Sequence, residues 1–194
     1  MMHALRHSRK LIEKPVTRRG FIKLGAFVAA AGLAPRSVFA DIPAFAEPER
    51  RLAFYNTHTG EALRVEYWAG GDYIPGALAE INRVLRDHRT DEVMPIHQDL
   101  LDLLHTLGGV LEFGEPFHVI SGYRSPETNA RLRRQRRRVA RRSFHMEGMA
   151  IDVRVPGLKL SHLSRAALSL KAGGVGTYPR SNFIHLDIGP VRRW

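Results

Sequence analysis

Two segments near the C-terminal end alternate apolar and polar side chains with a period of two, and this alternation restricts the fold more than any other feature. In Ala150–Val155, the residues Ile151, Val153 and Val155 share one side, and Ala150, Asp152 and Arg154 share the other. In Phe183–Ile188, Ile184, Leu186 and Ile188 are apolar, leaving Phe183, His185 and Asp187 opposite. Successive side chains of a strand point to opposite faces, so each segment can bury one face and present a carboxylate or an imidazole on the other. Three more strands are expected. Arg51–Thr57 and Ala62–Trp68 flank the turn Thr59-Gly60-Glu61 as a hairpin, and Phe117–Ser121 is short and β-prone. Helices are expected from Pro75, with Leu78, Ile81, Val84 and Leu85 on one side, and from near Pro95, with Ile96, Leu100, Leu103, Leu104 and Leu107 at the 3.6 period and Gly108-Gly109 as the stop. Ser125-Pro126 reads as an N-cap with proline in the first turn, and Ser161–Lys171 as a short helix. Gly173-Gly174-Val175-Gly176 reads as a turn. It lacks the Lys-Ser/Thr of a phosphate loop, which argues against a nucleotide site. The expectation is one α+β domain, an antiparallel sheet with flanking helices.

Composition narrows the chemistry. The 194 residues suffice for one core, and the absence of cysteine excludes disulfides, thiolate metal sites and cysteine nucleophiles. The net charge of +11 resembles that of a nucleic-acid binder, but its distribution does not. Residues 1–40 hold eight basic residues and one acid, and the segment Arg131–Arg142 holds eight arginines and no acid. The rest of the chain is acidic on balance, and aromatic residues do not interleave with the arginines, so nucleic acid is not an expected partner.

The first forty residues read as an address. Thr17-Arg18-Arg19-Gly20-Phe21-Ile22-Lys23 precedes the apolar stretch Leu24–Leu33, and Val38-Phe39-Ala40 supplies a small-residue cleavage site. The paired arginines resemble the bacterial twin-arginine signal, which exports folded proteins. The apolar stretch is about ten residues, short of the roughly 20 that a spanning helix needs. A second site, Ala44-Phe45-Ala46, leaves the mature N-terminus open. The expected division is a cleaved leader over 1–40, a linker over 41–50 and one domain over 51–194. The expected location is the periplasm or another extracytoplasmic space, with no transmembrane span in the mature protein.

Chemistry gathers on the two alternating strands. Gly148, in Ser143-Phe144-His145-Met146-Glu147-Gly148-Met149-Ala150-Ile151-Asp152, permits a bend that returns His145 beside Asp152. If the strands are neighbours, His145, Asp152 and His185 converge, and two imidazoles with a carboxylate are a common ligand set for catalytic zinc. Taken singly, each is as readily an ordinary hydrogen-bonding residue at a strand edge. The pattern Ser143-x-His145-x-x-Gly148-x-Ala150-x-Asp152, followed by His185-Leu186-Asp187, resembles the hedgehog-type zinc peptidases. That superfamily includes D-alanyl-D-alanine carboxypeptidases and murein endopeptidases, among them the exported MepK-like (YcbK-like) group. Ser121-Gly122-Tyr123-Arg124-Ser125-Pro126, Gly174–Pro179 and Phe183–Arg192 extend the resemblance over most of the chain after the leader.

The resemblance implies a hedgehog/D-Ala-D-Ala-peptidase-like domain holding one zinc ion on His145, Asp152 and His185. It implies that Arg124 holds a substrate carboxylate or the developing oxyanion, and that metal-activated water cleaves peptides of peptidoglycan, as endopeptidase or carboxypeptidase. Many relatives carry the basic carboxylate three residues before the last histidine, where this chain has Asn182. Asp187 is then the expected catalytic base, with Glu147 second. The rival reading, which Asn182 favours, is an inactive zinc-containing module that binds wall peptides or an envelope partner. Arg131–Arg142 reads as a solvated basic face or as a contact for anionic envelope polymer or headgroups.

The leader reading yields a direct test. Replacing Arg18 and Arg19 by Lys should leave uncleaved precursor in the cytoplasm on fractionation, and unchanged export would exclude the twin-arginine route.

Overall fold

The computed structural model describes residues 49–135 and 139–194, and the expected leader, most of the expected linker and Arg136–Arg138 lie outside that range. The hairpin forms where expected. Strand β1 (Arg50–Asn56) pairs antiparallel with β2 (Ala62–Ala69), and Gly60 takes φ 75° in the turn, a left-handed conformation natural to glycine. A two-residue strand β3 (Asp72–Tyr73) extends this edge. Helix α1 (Pro75–Val84) follows with Ala77, Ile81 and Val84 buried, then α2 (Gln98–Val110) with Leu100, Leu101, Leu104 and Leu107 buried. Strand β4 (Phe117–Ser121), α3 (Pro126–Gln135), a 3-10 turn (Phe144–Glu147), β5 (Ala150–Arg154) and α4 (Leu160–Leu170) come next. Strands β6 (Gly174–Tyr178), β7 (Phe183–Asp187) and β8 (Arg192–Arg193) complete the domain.

All eight strands join one sheet in the order β3-β2-β1-β4-β5-β7-β6-β8. The sheet is mixed, not purely antiparallel: β1–β4 and β6–β8 pair in parallel. The first parallel pair follows from the connection, since α1 and α2 lie between the hairpin and β4 and carry the chain back along the sheet. Helix α1 packs on β2, α2 on β1, and α4 on β6, β7 and α2. Between helices and sheet lie Phe54, Tyr67, Ile81, Leu100, Leu104, Ile151, Val153, Ile184 and Leu186, all buried. No helix among the described residues is long and apolar enough to cross a membrane.

Two expectations built on glycine are corrected. Gly173–Gly176 is not a turn, because β6 begins at Gly174 and pairs along its whole length with β7. A Cβ on Gly174 would meet the Asp187 carboxylate and the Arg192 guanidinium, and one on Gly176 would meet the Trp194 indole. These glycines clear space inside a strand. Helix α2 also runs through Gly108-Gly109. It ends in a Schellman arrangement, with Glu112 left-handed at φ 49°, Phe113 N–H donating to Gly108 O and Glu112 N–H donating to Gly109 O. Its start is at Gln98, not Pro95, with the His97 side chain accepting from Asp99 N–H.

The expected cap at Ser125 is present and does more than cap. Its Oγ accepts from Thr128 N–H at 3.1 Å and donates to Asp87 at 2.7 Å, while Ser125 N–H donates to the same oxygen at 2.9 Å. Asp87 is 1% exposed, so Ser125→Ala removes a helix cap and a partner of a buried carboxylate together. Urea unfolding should show a loss of about 2 kcal/mol or more.

Candidate metal centre

The register of β5 and β7 creates the site. Asp152 lies directly opposite His185, and Ala150 opposite Asp187. Because Ile151, Val153, Ile184 and Leu186 face the helices, Asp152 and His185 point to the other face of the sheet. His145 arrives from the 3-10 turn. Gly148 closes that turn at φ 66°, ψ 17°, and a Cβ there would strike the Pro95 carbonyl, so only glycine fits this bend without displacement.

Three donor atoms converge. His145 Nε2 lies 3.2 Å from His185 Nδ1 and 3.3 Å from Asp152 Oδ1, and His185 Nδ1 lies 2.9 Å from the same carboxylate oxygen. The outward ring nitrogens are committed. His145 Nδ1–H donates to Gly122 O at 2.7 Å, and His185 Nε2–H donates to Asp187 Oδ2 at 3.0 Å. Each imidazole therefore turns its remaining nitrogen toward Asp152. Tetrahedral donors on a metal at about 2.0–2.1 Å are about 3.3 Å apart, so the observed separations suit a zinc-sized ion with little movement. The donor set, its spacing and the two fixed rings fit such an ion.

Charges inside the cluster sustain one another. Burial pushes the His145 imidazole below its usual pKa, although Asp152 opposes this. Burial would also raise Asp152, but the two histidines outweigh it and hold the carboxyl well below the usual range. For His185, burial is outweighed by hydrogen bonds to Asp152 and Asp187, and its pKa rises to about 8.

Arg124 sits beside these groups on the loop after β4. Its Nη2 is 3.8 Å from Asp152 Oδ2 and 3.4 Å from Ser121 Oγ, and its buried Nε has no hydrogen-bond partner. The loop is clamped from both sides. Tyr123 N–H donates to Leu85 O at 2.7 Å, Arg124 N–H donates to His145 O at 3.0 Å, and a Cβ on Gly122 would collide with the Leu85 backbone.

Asp187 shares the strand face of His185, as its spacing requires, but it stands behind the imidazole. It is fully buried and accepts from His185, from Gly189 N–H at 2.9 Å, from Gly174 N–H at 3.3 Å and from both terminal nitrogens of Arg192 at 3.0 and 2.8 Å. Glu147 is exposed and forms no hydrogen bond or ion pair with a described residue. Asn182 is the left-handed C-cap of the turn Pro179–Ser181 at φ 50°, a conformation asparagine tolerates better than most residues. Sequence reasoning missed Trp194, whose indole lies 5.4 Å from His185, and Arg192. Only the long-range pairing of β6 with β8 brings them there.

A single α+β domain built on a mixed sheet is consistent with the hedgehog-like fold of the M15 peptidases. The sequence profile described as peptidoglycan L,D-endopeptidase MepK matches residues 44–194. The peptidoglycan L,D-endopeptidase MepK of Escherichia coli strain K12 is 43% identical over 178 residues, covering 91% of this chain and 96% of the relative. The probable peptidoglycan L,D-endopeptidase MepK of Haemophilus influenzae is 39% identical over 179 residues, covering 91% and 95%. No solved structure matches significantly. The chain belongs to the MepK family of M15 peptidases.

The surroundings of Asp187 distinguish its two candidate roles. Asp187→Asn should weaken metal affinity by about 10–100-fold, with activity restored by excess zinc, if the carboxylate orients His185. A loss of roughly 10²–10⁴-fold in turnover with full metal content would return the base role to Asp187.

Proposed function

We propose that this protein is an extracytoplasmic zinc-dependent peptidase that cleaves peptide bonds of peptidoglycan, at a junction between an L- and a D-configured residue. The observation that carries the reading is the convergence of His145 Nε2, His185 Nδ1 and Asp152 Oδ1 at metal-ligand spacing on the sheet face opposite the apolar core. Membership of the MepK family supports the substrate class, since the named relatives are L,D-endopeptidases of peptidoglycan. The leader over residues 1–40 supports export by the twin-arginine route.

His145, Asp152 and His185 would hold the ion. A bound zinc ion would polarise the scissile carbonyl and lower the pKa of a water molecule to about 7. The protein's own groups do the rest. Gly122 O fixes the tautomer and tilt of His145, and Asp187 does the same for His185 while Arg192 neutralises the carboxylate behind it. Arg124 is positioned to hold negative charge, either a substrate carboxylate or the oxygen that becomes anionic during attack. Its planar fork and unpartnered Nε suit that task. With Asp187 engaged in five hydrogen bonds, Glu147, exposed and two residues after His145, would take the role of proton carrier to the leaving amine. Asn182 has a backbone reason for its place, a left-handed conformation that closes the turn Pro179–Ser181. The exposed residues Arg133, Arg134, Arg141 and Arg142 would draw the enzyme toward anionic wall polymer.

Purified protein digested against muropeptide dimers with defined cross-links provides the test. Cleavage of an L,D-linked dimer, abolished by chelator and restored by zinc, is the expected result. Product masses would identify the bond. Undiminished cleavage after complete metal removal would overturn the zinc reading, and binding without cleavage would favour the inactive module.

A further inference from the structure

Arg154 belongs to the polar face of β5, two residues beyond Asp152, and the machinery described above does not use it. Side chains two apart on a strand point the same way, with their Cα atoms about 7 Å apart. Arg154 therefore emerges on the open face, beside the metal-binding row. It is half-buried, and its guanidinium makes no hydrogen bond or ion pair with a described residue. Desolvating a cation without a partner is unfavourable, so its placement calls for a counter-charge.

The register places specific neighbours around it. His118 on β4 lies directly opposite Arg154, and Tyr55 on β1 lies opposite His118 with the two rings 4.8 Å apart. On the other side, the pairing of Val153 with Ile184 puts Phe183 next to Arg154, and Phe183 pairs with Tyr178, the rings stacked at 4.7 Å. Tyr55, His118, Arg154, Phe183 and Tyr178 thus cross five strands as a second row, parallel to the row that contains Ser121, Asp152, His185 and Gly176. His118 Nδ1 is buried without a hydrogen-bond partner. Burial, reinforced by the charge of Arg154, holds the His118 imidazole below its usual pKa, so its ring is neutral at neutral pH and can carry a donor N–H. A cation without a partner and an unsatisfied ring nitrogen stand side by side, walled by aromatic rings.

We propose that Arg154 anchors a carboxylate of the peptide substrate, in a subsite whose aromatic walls carry the aliphatic part of the same peptide. The arginine fork can take a carboxylate through two parallel hydrogen bonds, and the rings at either side exclude water from that pair. Arg154 is thus a specificity-determining residue distinct from Arg124: it lies one step along the strand from the metal-binding row, where it meets a residue adjoining the scissile bond and not the reacting carbonyl. The inference rests on the peptidase reading for its substrate class, an anionic cell-wall peptide.

The experiment compares a synthetic cell-wall stem-peptide dimer carrying free carboxylates with the same dimer fully amidated. Cleavage and equilibrium binding are measured for zinc-loaded wild type, Arg154→Gln and Arg154→Lys, with metal content determined for each. Wild type should prefer the acid. Arg154→Gln should raise KM for the acid by about 10–100-fold with a much smaller change in kcat, collapse the preference over the amidated dimer, and retain its zinc. Arg154→Lys should restore part of the preference. An acid preference that persists in Arg154→Gln, or its absence in wild type, would overturn the proposal. Retained zinc and the partly restored preference of Arg154→Lys separate a lost anchor from a variant that fails to fold. Wild type that binds the acid through Arg154 but cleaves neither dimer would sustain the subsite and overturn the peptidase reading. Cleavage without acid preference would do the reverse.

Discussion

The antiparallel register between β5 and β7 is the constraint on which the rest depends. It pairs Asp152 with His185 on one face, and it places Ile151, Val153, Ile184 and Leu186, all at most 1% exposed, on the other. A slip of one residue by either strand would turn that strand's polar side chains, Asp152 or His185 among them, into the helix-covered core and expose its two large apolar side chains. Hydrophobic burial therefore enforces the juxtaposition of Asp152 and His185 indirectly. The attraction between Asp152 and His185 could not do so alone, because desolvating the two groups offsets much of what their contact returns.

The elements that could be read from the sequence are those whose signal is periodic. β4, β5 and β7 appear within a residue of their expected limits, and α1 and α4 likewise, because core packing demanded the alternation or the 3.6 spacing in the first place. The misread elements contain glycine. At Gly60 and Gly148 the residue supplies a left-handed backbone, which local sequence reveals. At Gly174 and Gly176 it supplies room for Asp187, Arg192 and Trp194, up to eighteen residues away in sequence, and nothing local distinguishes that use from a turn. The parallel pairing of β1 with β4 was equally hidden, since it is a property of the route between them.

The same limit applies to the site. The three donors could be identified because they depend on two strand faces and one glycine bend. Asp187 was placed on the correct face, yet a shared face does not say which ring nitrogen a carboxylate will meet. That choice is made by Gly174 N–H, Gly189 N–H and Arg192, which hold the carboxylate on the far side of His185. Asn182 shows the converse. Its departure from the family's acidic residue looked chemical, and its left-handed φ of 50° gives it a backbone reason.

The open face of the sheet is divided by how completely its polar groups are satisfied. In the row of Asp152 and His185, each imidazole nitrogen and the facing carboxylate oxygen has a partner, and the backing carboxylate takes five hydrogen bonds. Such a network is rigid, and rigidity suits a centre that must hold its donors fixed while bonds change elsewhere. In the adjacent row, Arg154 and His118 Nδ1 lack partners among the described residues, as does Arg124 Nε on the loop after β4. Unsatisfied polar groups raise the free energy of the unliganded protein, and a ligand that supplies the missing acceptors relieves them. The satisfied row accordingly suits chemistry, and the unsatisfied groups around it suit recognition.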